Sequence, residues 1–135
     1  MVERKTIGSL EKVSFPEFNI KDVVAKIDTG AYTGALHCTR IFEEETKEGI
    51  VLHFSPFDHP EKVKTTDKFY TKHVKSSNGG REKRYVIDTE IVIDGVAYPI
   101  LLSLADRSGM KWPVLVGRRF MRTHNLLVDV KRRNK

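Results

Sequence analysis

One cysteine, Cys38, stands in a chain of 135 residues. A single thiol cannot build an internal disulfide framework, and it falls short of the two or more thiolates that cysteine-based zinc modules use. No run of about 18 apolar residues occurs, as a membrane-crossing helix would need. The opening MVERKTIGSL has no apolar core of signal-peptide length. No membrane association is therefore expected, and a reducing, cytoplasmic setting is the simpler expectation, although a leader or anchor removed upstream leaves no trace in such a sequence. The phosphate-cradling pattern G-x-x-x-x-G-K-[ST] is missing too, so no nucleotide cofactor is expected. The five histidines, His37, His53, His59, His73 and His124, include no H-E-x-x-H pair to place two imidazoles on one helical face. The one metal arrangement left is His37 and Cys38 with a distant histidine, and no metal is expected.

Positive charge is in excess, with 24 Lys and Arg against 18 Asp and Glu, a net charge of +6. Four of the cations, Lys131, Arg132, Arg133 and Lys135, crowd the last five residues, and others alternate with acids such as Glu43, Glu44 and Glu45. No zinc-finger spacing, aromatic RNA-binding pattern or recognition helix accompanies them, so no nucleic-acid partner is expected. Apolar residues make up 39% and charged residues 31%, which suits one folded domain spanning 1 to 135.

Alternation of apolar and polar residues dominates. VIDTEIVIDGVAYPILLSL reads as two strands joined by a turn at Asp94-Gly95. HVKSSNGGREKRYVI reads as a second, projecting hairpin, with Asn78-Gly79 supplying the positive φ angles of a tight turn. Further strands are expected at 22 to 28, 36 to 43, 48 to 55, 114 to 116 and 126 to 130, with a loop or irregular strand from 55 to 68. Only GRRFMRTH, residues 117 to 124, suggests a helix. Short strands at this spacing point to a small all-β barrel with one short helix.

Within AKIDTGAYTGALH, an apolar strand runs straight into Asp28, followed by Thr29, Gly30 and Ala31. A carboxylate at the end of a buried strand needs partners. Thr29 offers a hydroxyl, Gly30 unusual backbone angles, and Ala31 room for a close approach. Asp28 is thus either a turn residue or a catalytic acid. Later in the chain PVLVGRRF sends a second apolar strand into Gly117 and Arg118.

Together the Asp28-Thr29-Gly30-Ala31 loop, the glycine-rich hairpin at 76 to 81 and Leu115-Val116-Gly117-Arg118 resemble, in this order, the retropepsin-like aspartic peptidases. Nearly the whole chain, through IGSLEKVSFPEF, AKIDTGAYTGALH, SSNGGREKRYVIDTEI, LADRSGMKWPVLVGRRFM and LLVDV, is similar to a bacterial and archaeal branch of that family long labelled ATP-dependent zinc proteases and linked with ATP-grasp amino-acid ligases. The resemblance implies a closed barrel of the acid protease fold. It also implies an aspartic endopeptidase in which Asp28, Thr29 and Gly30 form the catalytic loop. Ala31 and the flap residues Asn78, Gly79 and Gly80, with Arg107, would meet substrate, and Gly117 and Arg118 would support the loop. Because the chain supplies one Asp-Thr-Gly, the second carboxylate is expected from a homodimer partner.

Two departures stand out. Gly34 occupies a position where relatives commonly carry serine, so the hydroxyl contact a serine would make is missing. Viral members follow the loop with acids that hold substrate backbone and the later arginine, whereas here Tyr32 and Thr33 follow, leaving Asp106 or Asp129 as the expected partner of Arg118. The expected partners are a peptide or protein substrate, a second copy of the chain and an ATP-grasp ligase. The alternative is a catalytically silent retropepsin-like module that binds or regulates such a ligase.

Overall fold

The computed structural model describes residues 4 to 75, 78 to 106, 109 and 111 to 135. In chain order the strands are β1 (Lys5–Phe15), β2 (Ile20–Ile27), β3 (Gly34–Thr46), β4 (Gly49–Pro56), β5 (Lys64–Thr66), β6 (Phe69–Lys75), β7 (Arg81–Ile93), β8 (Val96–Ala105), β9 (Val114–Val116) and β10 (Leu126–Asn134). Among the described residues a single α-helix, α1 (Arg118–Thr123), separates the last two, and one 3-10 turn lies at Pro16–Phe18. The fold is the expected closed β-barrel with one short helix.

Six strands close on themselves in the order β1, β2, β9, β3, β8, β7 and back to β1, the last step through Val13 opposite Ile93 and Ser14 opposite Val92. Closure removes the exposed edges that an open sheet of this size would carry. Three extensions hang from it: β10 beside β1, β6 beside β7, and the β4 and β5 pair beyond β3.

The β7–β8 hairpin shows how sequence writes this barrel. Asp94 (φ 51) and Gly95 (φ 77) take the two positive angles of a tight hairpin turn. The strands then pair from Ile93 opposite Val96 through Tyr85 opposite Leu104. Alternate residues face inward, so Ile87, Thr89, Ile91 and Ile93 are buried while Asp88 and Glu90 are exposed. The core they join contains Phe15, Leu36, Leu52, Phe54, Leu102, Val114 and Val116, all fully enclosed. Burying each such side chain stabilises the fold by about 1.5–3 kcal/mol. Phe18 packs edge-on against Phe54 at 5.0 Å, fastening the 3-10 turn to β4.

Strand β1 has no counterpart among the sequence expectations, and its pairing explains why. Its register shifts between Gly8 and Leu10 against β10, and again between Val13 and Phe15 against β2. The bulges place Ile7, Gly8, Ser9, Leu10 and Glu11 all in the interior, which erases the period of two. Buried Glu11 is satisfied there, its Oε2 accepting from the Gly8 amide at 2.6 Å and from Asn134 Nδ2 at 2.5 Å. Ser9 Oγ donates to the Arg132 carbonyl at 3.0 Å, so β10 is tied to the bulge along its length.

The second hairpin forms as expected from Phe69 opposite Ile87 to Lys75 opposite Arg81, and its outer half is largely exposed. At its tip Gly79 takes the expected positive angle (φ 86), and Asn78 Oδ1 accepts from the Gly80 amide at 3.3 Å, bridging the turn through a side chain.

Candidate functional site

Strand β9 enters the barrel between β2 and β3, parallel to the first and antiparallel to the second. This insertion fixes the Asp28 loop from both sides. As β2 ends, the Asp28 amide donates to the Val116 carbonyl at 2.8 Å. Just past β9, the Arg118 amide donates to the Ala31 carbonyl at 2.8 Å and the Arg119 amide to the Tyr32 carbonyl at 3.1 Å. The loop closes internally as well, with the Ala31 amide on the Asp28 carbonyl at 3.2 Å and the Gly30 amide on Asp28 Oδ1 at 2.9 Å. The half-buried carboxylate therefore has one oxygen held by a backbone donor.

Glycine is required at two points of this packing. A Cβ on Gly117 would lie 2.6 Å from the Tyr32 carbonyl oxygen and 2.8 Å from that of Thr33. One on Gly34 would lie 2.6 Å from the Leu115 carbonyl oxygen. Gly34 is thus more than a missing hydroxyl, because β3 and β9 approach here too closely for any side chain.

The expected partner of Arg118 needs correcting. Its Nη1 donates to the Gly30 carbonyl at 3.1 Å, and the guanidinium lies 5.3 Å from the centre of the Tyr32 ring. Of the acids expected to pair with it, Asp129 receives the Lys131 amide at 3.0 Å, and Asp106 Oδ1 lies 3.8 Å from His37 Nδ1. The role an acid was expected to play is taken by a carbonyl and an aromatic face, both available without an ionised partner. Tyr32 is 52% exposed and lies beneath a second guanidinium, that of Arg119, at 6.0 Å. Sequence reasoning passed over Tyr32 and Arg119 as site residues; the Arg-Arg doublet after Gly117 was the available signal.

His37 is buried, and it joins segments rather than standing ready for a metal. Its Nε2 lies 2.8 Å from Asp58 Oδ1, its amide donates to the Pro113 carbonyl, and its carbonyl accepts from the Phe57 amide, both at 2.8 Å. Beside it, burial pushes the Cys38 thiol well above its ordinary pKa. Among the described residues no group of three or more His, Cys, Asp and Glu side chains is arranged to hold a metal ion. No helix is long and apolar enough to cross a membrane, again among the described residues.

Thr29 is exposed and lines a cavity of about 470 Å³ with Arg4, Arg118, Met121, Leu126 and Leu127. Asn78, Gly79 and Gly80 lie at the exposed end of the β6–β7 hairpin. Arg107, expected to meet substrate, lies outside the described residues.

Known proteins are similar to this chain. A crystal structure of a Legionella pneumophila protein of unknown function (DUF785) matches with a TM-score of 0.78 and 27% identity, covering 98% of each chain. Two curated relatives, each called a probable alpha-L-glutamate ligase, are 34% identical over 131 residues in Shewanella pealeana and 29% identical over 134 residues in Parasynechococcus marenigrum. The matches cover 91% and 96% of this chain but 28% of each relative, so the chain corresponds to little more than a quarter of those proteins. The family model described as retropepsin-like aspartic endopeptidase RimB matches residues 6 to 134. With its barrel, its inserted β9 and its doubly held Asp28 loop, the chain belongs to the RimB-like family of retropepsin-like proteins.

Proposed function

We propose that this single domain is an aspartic endopeptidase acting as a two-fold homodimer, with Asp28 of each subunit meeting at the axis. The observation that carries the reading is the Asp28 loop, whose carboxylate accepts the Gly30 amide while the flanking backbone is clamped by β9 and Arg118. Two carboxylates about 3 Å apart share one proton. The ionised one takes a proton from water, whose oxygen attacks the peptide carbonyl carbon. The protonated one gives its proton to the carbonyl oxygen. The tetrahedral intermediate then collapses, the C–N bond breaks, and the amine leaves with a proton from the dyad.

Dimerisation draws support from the cavity beside Thr29, with apolar Met121, Leu126 and Leu127 in its lining. On the adjoining strand β10, Leu127 and Val130 are 45% and 76% exposed. A second copy is the occupant that would also complete the dyad. In this reading Asn78, Gly79 and Gly80 close over the substrate as a flap, and Ala31 borders the bound peptide.

The relatives' names support one substrate class. This chain matches 28% of proteins called glutamate ligases and carries a net charge of +6, so a glutamate-rich peptide made by an associated ATP-grasp ligase is the proposed substrate. The test is cleavage of a diverse peptide library across pH 3 to 8, with and without chelator. Wild type should cleave with a bell-shaped pH profile and be indifferent to chelator. Asp28→Asn should fall about 10³-fold or more. Chelator-sensitive cleavage, or equal cleavage by the mutant, would sink the dyad; binding of a ligase with no cleavage under any condition would favour the silent module.

A further inference from the structure

A cavity of about 300 Å³ opens beside the Asp28 loop, its lining including Tyr32, Thr33, Asp88, Arg119, Thr123 and His124. Its chemistry is unlike that of a core gap. Arg119 is exposed, and among the described residues none of the ion pairs involves it. Its guanidinium lies 6.0 Å from the centre of the Tyr32 ring, and a guanidinium resting on an aromatic face still has its in-plane donors to offer. His124 is already engaged, its Nε2 2.9 Å from the Pro99 carbonyl oxygen. Exposed Asp88 is the one acid in the lining among the described residues and sets a limit on the local positive potential.

Position gives this cation its use. Arg119 is held to the loop through its own backbone, its amide donating to the Tyr32 carbonyl four residues after Asp28. Thr123 Oγ1 donates to the Arg119 carbonyl at 2.9 Å, so the backbone of Arg119 is fixed at both ends whatever its side chain does. Tyr32 and Thr33, which follow the Asp28 loop directly in the chain, both line the cavity. An extended peptide advances about 3.3–3.6 Å per residue, so in the proposed reading residues away from the cut bond are the ones to meet this planar, bidentate donor.

We infer that Arg119, backed by Tyr32, forms a subsite that reads an acidic side chain of the peptide at a position away from the bond that is cut. The subsite rests on the peptidase reading for its substrate, but not for its measurement. In it the guanidinium supplies paired N–H donors to a carboxylate, the Tyr32 ring keeps the guanidinium plane in place, and Asp88 opposes a second acid. Arg119 is thus a determinant of specificity, while Asp28 does the chemistry.

The test uses two amidated peptides, an oligo-glutamate and its glutamine counterpart, so that side chains are the only source of carboxylate. Binding is measured by fluorescence anisotropy in an Asp28→Asn background, and cleavage in the active protein. Arg119→Ala should weaken binding of the glutamate peptide about tenfold and reduce the preference for glutamate over glutamine by a similar factor, with KM rising more than kcat falls. Arg119→Lys should restore part of it, and Arg119→Glu should abolish the preference. Asp88→Asn should tighten glutamate binding about twofold. No binding of the glutamate peptide by the parent, or equal weakening of both peptides in Arg119→Ala, would overturn the subsite. If nothing is cleaved yet Arg119 still governs glutamate binding, the subsite stands and the peptidase reading falls.

Discussion

Arg118 Nη1 donates to the Gly30 carbonyl at 3.1 Å, so the residue that follows β9 grips the loop that follows β2 across 88 positions of sequence. Removing that grip should loosen the loop before it disturbs the barrel. Arg118→Ala loses a charge-assisted hydrogen bond and the contact with the Tyr32 ring, together about 1–2 kcal/mol. A fall in melting temperature of about 3–6 °C by calorimetry is expected. Under the proposed peptidase function, peptide turnover should drop by a larger factor than stability alone explains. Arg118→Lys should recover the charge without the planar contact and fall between the two.

The glycines divide by the reason each is present. Gly117→Ala and Gly34→Ser place a Cβ 2.6 Å from a backbone oxygen, and backbone is what must yield. Each should destabilise by about 1–3 kcal/mol, read as a shift in denaturant midpoint. Gly79→Ala meets no atom within 4 Å and pays only for its positive φ, on the order of 1 kcal/mol. A Gly34→Ser protein as stable as wild type would show that β3 and β9 separate more readily than this packing implies.

Cys38 gives a pH signature of the core. Its thiol is raised by burial, so the folded chain keeps the proton where the unfolded chain loses it. The stability this represents is present in full below the unfolded pKa of about 8.5 and is lost as pH rises above it, at about 1.4 kcal/mol per pH unit. Urea unfolding at pH 8, 9 and 10 should show this slope in wild type over and above Cys38→Ala. The folded thiol should also resist modification at pH 8 until denaturant is added.

How legible the molecule was depends on the range of the interaction. The β7–β8 hairpin could be read because Asp94-Gly95 and the alternation around it are local, and β9 was read at its observed bounds, Val114–Val116. Strand β1 could not, because its bulges are set by partners on β2 and β10 rather than by its own pattern. The Asp28 loop was legible as a motif, while what Arg118 touches was not, since a carbonyl leaves no trace in side-chain identity. His37 is similar: its contacts with Asp58 and Asp106 join β3 to two distant loops, and single-residue reasoning saw only a candidate ligand. Arg119 and Tyr32 escaped because each is ordinary alone and acquires meaning only when β9 brings them together.

The insertion of β9 between β2 and β3 also sets a time order on the ribosome. Asp28 emerges early, but the carbonyl that receives its amide belongs to Val116 and the amides that secure its loop belong to Arg118 and Arg119. Until those residues leave the exit tunnel, β2 and β3 have no strand to bridge them and the acid has no fixed geometry. Premature termination anywhere before residue 118 therefore yields a fragment in which the Asp28 loop lacks the amides that secure it.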